Sequence, residues 1–90
     1  MTKIESKDGK LVIKFGKQTK TDLNIFVNFK GYEFADIIEK LGYVKVIRVM
    51  AVEKPNYGLH IHFSKNDMYE QFLEDLPNCL YDYECKRKVG

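Results

Sequence analysis

The chain has 90 residues, of which 44% are hydrophobic and 31% charged, and its formal net charge at pH 7 is +2. This length suits one small domain over residues 1–90, and the apolar content is too high for a disordered chain. The sequence shows neither an apolar leader nor an apolar run long enough to cross a membrane, so we expect a cytoplasmic protein without membrane contact.

Cys79 and Cys85 match neither a redox CxxC pair nor a zinc finger. We therefore expect reduced thiols and no cofactor.

The charged residues are unevenly distributed along the sequence. Residues 1–30 carry seven lysines against three acids, residues 31–85 carry five bases against ten acids, and residues 86–88 are KRK. Basic ends around an acidic middle are consistent with a cationic strip on one edge of a sheet, although terminal lysines also serve as solubilising tails. The charge distribution by itself does not identify a partner.

The first half of the chain predicts two strands and a helix. KLVIKF at 10–15 predicts a short additional strand, and residues 1–9 before it are expected to be flexible. DLNIFVNF at 22–29 alternates apolar odd-numbered residues with mostly polar even-numbered ones, the period of a half-buried strand. YEFADIIEKLG at 32–42 places apolar residues at the i, i+3, i+4, i+7 spacing of an amphipathic helix.

The second half predicts a hairpin, a helix and a last strand. YVKVIRVMAV at 43–52 and GLHIHF at 58–63 are typical of strands joined by a turn at Pro55. A helix follows and is expected to end at Pro77, and YDYECKRKV at 81–89 alternates like a strand. From residue 22 to 88 the order is βαββαβ. The predicted fold class is therefore α+β and ferredoxin-like, an antiparallel sheet with two helices on one face and an extra N-terminal strand.

This order resembles the RNA recognition motif (RRM) domains. IFVNF at 25–29 is similar to the first-strand motif of that family, and FADIIEKLGYVKVIRVM is similar to its first helix and second strand. YGLHIHF occupies the place of its third strand, so the resemblance covers about residues 23–88. The positions that stack on bases in that family fall on Phe26, Gly58 and His60 here. The resemblance implies binding of single-stranded RNA on the uncovered side of the sheet.

The strand alternation predicts which side chains that uncovered side carries. The helices are expected to cover Ile25, Val27, Ile47, Val49, Leu59, Ile61 and Phe63. The uncovered side is expected to carry Asn24, Phe26, Asn28, Arg48, Met50, His60 and His62. If the strands at 22–29 and 58–63 are central neighbours, Phe26 lies beside the two histidines.

Aromatic, imidazole and guanidinium groups on one sheet face are typical of proteins that stack on unpaired bases. We expect a binding protein rather than an enzyme, with single-stranded RNA or DNA as the ligand. The predicted binding residues are Phe26, Asn28, Arg48, His60 and His62, with Lys86, Arg87 and Lys88 holding phosphates.

Two alternatives remain open. His60-Ile61-His62 resembles the metal motif of the HUH rolling-circle endonucleases. This resemblance implies that His60 and His62 share a divalent ion, which polarises a phosphate for attack by a tyrosine, Tyr83 or Tyr69. The other alternative is a protein interaction module, such as a phage-type inhibitor or adaptor that acts on a host nucleic-acid enzyme. An exposed edge strand would serve the same purpose by strand addition, or would allow a homodimer.

Overall fold

A computed structural model describes residues 3–89 of the chain, with side-chain positions up to residue 86. These residues form a five-stranded antiparallel sheet and two helices. The elements are β1 (Lys3–Glu5), β2 (Val12–Gln18), β3 (Asp22–Val27), α1 (Gly31–Glu39), β4 (Val44–Glu53), β5 (Asn56–Phe63) and α2 (Tyr69–Val89). The strands lie in the order β1-β2-β3-β5-β4. No helix in this part of the chain is both long enough and apolar enough to cross a membrane.

The hydrophobic core lies between one face of the sheet and the two helices. The odd-numbered residues of β3 and β5 point into it, as their alternation predicts; they are Leu23, Ile25, Val27, Leu59, Ile61 and Phe63, all nearly inaccessible to solvent. Phe34 and Ile38 contribute from α1, and Phe72 of α2 packs edge-on against Phe63 with ring centroids 5.5 Å apart. The opposite face of the sheet is not covered by either helix.

The C-terminal residues belong to α2, so the predicted strand at 81–89 is wrong. The helix continues through Pro77, where the sequence predicted its end. Proline cannot donate the backbone hydrogen bond to the carbonyl four residues earlier, which costs the helix about 3 kcal/mol. A continuous buried stripe offsets this cost; it consists of Phe72, Leu76, Cys79, Leu80 and Tyr83. The burial of side chains at helical spacing therefore determines the structure of this segment, although its residues also alternate as those of a strand would.

The N-terminal segment forms two strands. The strand predicted at 10–15 is present as β2, which extends to Gln18 and pairs antiparallel with β3 along its length. Residues 3–5, in the segment expected to be flexible, form β1, and Ile4 lies opposite Ile13 of β2. Strand β3 therefore has β2 on one side and β5 on the other.

Strand β4 departs from regular alternation at two places. Its register against β5 shifts between Val46 and Arg48 and again between Ala51 and Glu53. The first shift leaves Ile47 at a bulge with 55% of its surface exposed, so the prediction that Ile47 lies in the core is wrong. An extra residue in one strand changes the parity of the side chains that follow it. Arg48 and Met50 consequently emerge on the uncovered side of the sheet, as predicted.

Candidate nucleic-acid interface

The uncovered side of the sheet is named here the open face. It comprises Lys14 and Gly16 of β2, Asp22, Asn24 and Phe26 of β3, Gly58, His60 and His62 of β5, and Lys45, Arg48, Met50, Val52 and Glu53 of β4. β3 and β5 are central neighbours, and the register places Phe26 opposite Gly58, Asn24 opposite His60 and Asp22 opposite His62. The two strands are thus central neighbours, as predicted; Phe26 lies diagonally opposite His60, whereas His62 lies two residues further along β5.

Phe26 lies at the centre of the open face, between two glycines. A Cβ atom on Gly16 would lie 2.8 Å from Cε2 of the Phe26 ring, and a Cβ atom on Gly58 would lie 3.3 Å from Cε1. The ring therefore occupies space that side chains on β2 and β5 would otherwise fill. Phe26 is still 40% exposed. The result is an aromatic surface held close to the sheet and accessible from solvent.

Asp22 joins the two histidines of the open face. Its Oδ2 lies 2.5 Å from Nε2 of His60, and its Oδ1 lies 3.2 Å from Nδ1 of His62. The Thr21 hydroxyl donates a third hydrogen bond to Oδ1 at 2.6 Å. These hydrogen bonds, from Thr21 first and then from His60 and His62, lower the pKa of Asp22 from 3.8 to about 2. The carboxylate is ionised at neutral pH and fixes the orientation of both imidazoles.

Three cationic side chains surround the aromatic centre. Lys14 lies opposite Phe26 on β2, Arg48 lies opposite His60, and Lys45 lies opposite His62. All three are exposed. Within the described side chains none of them has an ion-pair partner, whereas Lys3 at the edge pairs with Glu5 at 2.7 Å. Lys14, Lys45 and Arg48 are thus available to an anionic ligand.

The open face also has an apolar extension toward β4. Met50 is 45% exposed and Val52 is 56% exposed. Both line a shallow groove together with Phe26, Arg48 and His60. Val52 reaches this groove because the second register shift of β4 falls at its position. The groove therefore combines aliphatic, aromatic and cationic groups.

Several predicted binding residues have other roles or positions. The Asn28 amide accepts a hydrogen bond from the Val12 N–H and donates one to the Lys10 carbonyl, both at 2.9 Å, so it anchors β2. Lys86 is on α2 and lines a cleft between the two helices, away from the open face, so its predicted place beside the sheet is wrong. Arg87 and Lys88 belong to the same helix, and their side chains lie outside the described residues.

The residues required for metal-dependent nicking are not brought together. The hydroxyl of Tyr83 accepts a hydrogen bond from the Lys30 N–H in the core, and Tyr69 packs on Phe15, so both tyrosines lie on the helix-covered side of the sheet. Within residues 3–86 no group of three His, Cys, Asp or Glu side chains is spaced to hold a metal ion. His60 and His62 each form a hydrogen bond with Asp22.

Sequence reasoning missed six residues of this site: Lys14, Gly16, Asp22, Lys45, Val52 and Glu53. The last three reach the open face through the register shifts of β4. Asp22 belongs to the same even-numbered series as Asn24 and Phe26, so extending the alternation by one step would have placed it on the open face. To place Lys14 and Gly16 on the open face, one must know that β2 pairs with β3, and this pairing could not be predicted from the sequence.

Comparisons with known proteins do not identify the chain: no family model, no curated protein and no solved structure matches it.

Proposed function

We propose that the open face binds single-stranded nucleic acid, RNA or DNA. The observation that carries this proposal is the Phe26 ring, which lies between Gly16 and Gly58 and remains accessible. Stacking of a base on an aromatic side chain contributes about 1–3 kcal/mol and requires a ring face open to solvent. His60 and Arg48 lie beside it and offer further planar groups for stacking or hydrogen bonds to bases.

The cations of the open face support the same ligand. Lys14, Lys45 and Arg48 flank the aromatic centre on both sides, at spacings set by the strands. The negative charge of Asp22 is compensated by hydrogen bonds from Thr21, His60 and His62, so it repels phosphates less than a free carboxylate would. Three phosphate contacts would give a slope of about −2 for the logarithm of affinity against the logarithm of salt concentration.

We infer that the fold is a variant of the ferredoxin-like arrangement, the class of sheet that RRM domains use. The segment from β3 to α2 follows the order βαββα, and the first and third strands of that segment are central neighbours. β2, which precedes this segment in the chain, occupies the outer position beside β3. The relation is one of architecture, so it supports a binding role for the open face only indirectly.

The proposal is tested by fluorescence anisotropy with labelled RNA and DNA oligonucleotides at two salt concentrations. We expect Phe26→Ala to weaken binding about five- to a hundredfold, because one base loses its stacking partner. Tyr32→Ala is the matched control, since Tyr32 is an exposed aromatic residue on α1, on the other side of the molecule. Equal affinities for the two variants and the unmodified protein would contradict the proposal.

A second candidate is a protein-binding inhibitor or adaptor that uses the same face. The observation that favours it is the apolar extension, because exposed Met50 and Val52 beside Phe26 are more characteristic of a protein interface than of a phosphate-binding surface. The anisotropy experiment separates the two candidates. A folded protein that binds neither RNA nor DNA at low salt would favour the protein partner.

A further inference from the structure

The two edges of the sheet differ in length and in chemistry. β1, at one edge, has three residues, and its charged side chains Lys3 and Glu5 pair with each other. β4, at the other edge, has ten residues, and no strand within residues 3–89 pairs with its outer side. Short charged edges resist association with other strands, whereas long edges with unpaired backbone groups favour it. β4 is therefore the edge able to accept another strand.

The side chains of β4 support association along this edge. Ile47, Met50 and Val52 are all about half exposed although they are aliphatic. Met50 and Val52 line the same groove of the open face, and Ile47 lies at the bulge three residues before Met50, so exposed aliphatic side chains follow one another in a strip along this edge strand. A strip of this kind at an unpaired edge is a typical interaction surface.

One contact limits which part of the edge is available. A side-chain oxygen of Glu39 on α1 accepts a hydrogen bond from the Val46 N–H at 3.0 Å. This contact satisfies an outward-facing donor near the start of the strand. Backbone pairing with a new strand therefore begins at Ile47, and the residues before it can contact such a strand only through their side chains.

We propose that β4 pairs antiparallel with β4 of a second copy of the chain, about a two-fold axis at Val49. The charges of the strand select both the partner and the register. Lys45 lies opposite His62 and Glu53 lies opposite Asn56, so both point to the open face, four residues on either side of Val49. Antiparallel pairing centred on Val49 places Lys45 of each copy opposite Glu53 of the other. The same register sets Arg48 opposite Met50, and both of these also point to the open face.

This dimer goes beyond nucleic-acid binding and does not depend on it. Two copies would form one continuous ten-stranded sheet, with both open faces on the same side. A pairing along one strand edge buries less than the ~1,200 Å² of standard stable interfaces, so we expect association at micromolar concentrations rather than an obligate dimer.

The first test reverses charges and measures association by analytical ultracentrifugation without nucleic acid. We expect Lys45→Glu and Glu53→Lys each to raise the dissociation constant about tenfold, because each creates two like-charge pairs across the axis. The double variant Lys45→Glu/Glu53→Lys should return to within about threefold of the unmodified protein. Both residues are exposed, so these changes leave the core intact.

The second test locates the axis by disulfide cross-linking in a Cys85→Ser background. Opposed Cα atoms in antiparallel strands lie about 4.5–5.5 Å apart, within the range of a disulfide, so Val49→Cys should form a cross-linked dimer. Ala51→Cys is the matched control, because its two copies would lie about 13 Å apart. Cys79 should not compete, since burial raises its pKa to about 11.

Particular outcomes would overturn the proposal. The protein could remain monomeric up to about 1 mM, the double charge reversal could associate as weakly as the single variants, or Ala51→Cys could cross-link as efficiently as Val49→Cys. Any one of these results would exclude the β4 pairing about Val49.

Discussion

Gly16 and Gly58 determine how closely the Phe26 ring approaches the sheet. Neither glycine has a side chain that would displace the ring, and the two lie on the strands that flank β3. Glycine in a strand often marks a close approach of this kind, but the residue that approaches cannot be identified without the pairing register. Phe26 could therefore be predicted from the sequence as an exposed aromatic residue, whereas its support by two glycines could not.

Asp22 makes the stability of the protein depend on pH in the acidic range. Because its folded-state pKa of about 2 lies below the ordinary 3.8, the ionised carboxylate stabilises the folded state at and above about pH 4. This contribution is lost as the pH falls from about 4 to 2. We expect Asp22→Asn to lower the free energy of unfolding at pH 7, and the difference from the unmodified protein to disappear near pH 2.

Urea unfolding at pH 7, 4 and 2.5 measures this effect. The matched control is Asp36→Asn, which removes an exposed carboxylate on α1. A difference between Asp22→Asn and the unmodified protein that stays constant from pH 7 to 2.5 would mean that the Asp22 hydrogen bonds do not lower its pKa.

Helix α2 shows how two periods can compete in one sequence. The residues YDYECK alternate as a strand would, yet Cys79, Leu80 and Tyr83 also continue the helical stripe that begins at Phe72. The helical period is visible in the sequence if Pro77 is not taken as a stop. Local alternation over a few residues carries less weight than a stripe that buries five side chains over three turns.

The two periods make opposite predictions for Tyr81 and Tyr83. A strand would place both on one face, whereas the helix buries Tyr83 against Phe29 with ring centroids 4.7 Å apart and leaves Tyr81 61% exposed. We expect Tyr83→Ala to lower the free energy of unfolding by about 3–5 kcal/mol and Tyr81→Ala by less than about 0.5 kcal/mol. Chemical denaturation of both variants provides the measurement. Similar losses at the two positions would contradict the helix.

The elements that could be predicted are those with a single clear period. α1, β3 and β5 each show one, and the structure confirms them with the predicted buried residues. The prediction for β4 is wrong at Ile47, because the bulge there depends on the pairing with β5 and cannot be seen in the sequence of β4 itself. The fold class is confirmed as α+β with two helices on an antiparallel sheet. The complete strand order could not be predicted, because the sequence did not show which strand pairs with β2.

Charge is divided between the two layers of the whole molecule. The exposed acids Glu33, Asp36, Glu39, Glu70, Glu74 and Asp82 lie on the helices together with Lys86, whereas Lys14, Lys45 and Arg48 outnumber Asp22 and Glu53 on the open face. A net charge of +2 conceals this separation. An anionic molecule approaching the protein would be oriented toward the sheet, an effect that increases association rates at low salt. The linear charge pattern indicated an acidic middle segment but could not assign it to one layer.

Chain connectivity concentrates the entropic cost of folding in one step. β1–β2, β2–β3 and β4–β5 are pairings between consecutive strands, whereas β3–β5 joins residues as far apart as Asp22 and His62, which are separated by 40 positions. Closing that loop must precede most of the core contacts, so the β3–β5 pairing is expected to limit the folding rate.

Two fully buried isoleucines allow a kinetic comparison. Ile61 lies opposite Leu23 in the long-range pairing, and Ile13 lies in the outer strand β2. Each change to valine should cost about 0.5–1.5 kcal/mol. In stopped-flow experiments we expect Ile61→Val mainly to slow folding and Ile13→Val mainly to accelerate unfolding. The reverse pattern would mean that the chain begins to fold at its N-terminal hairpin, and that its two halves dock afterwards.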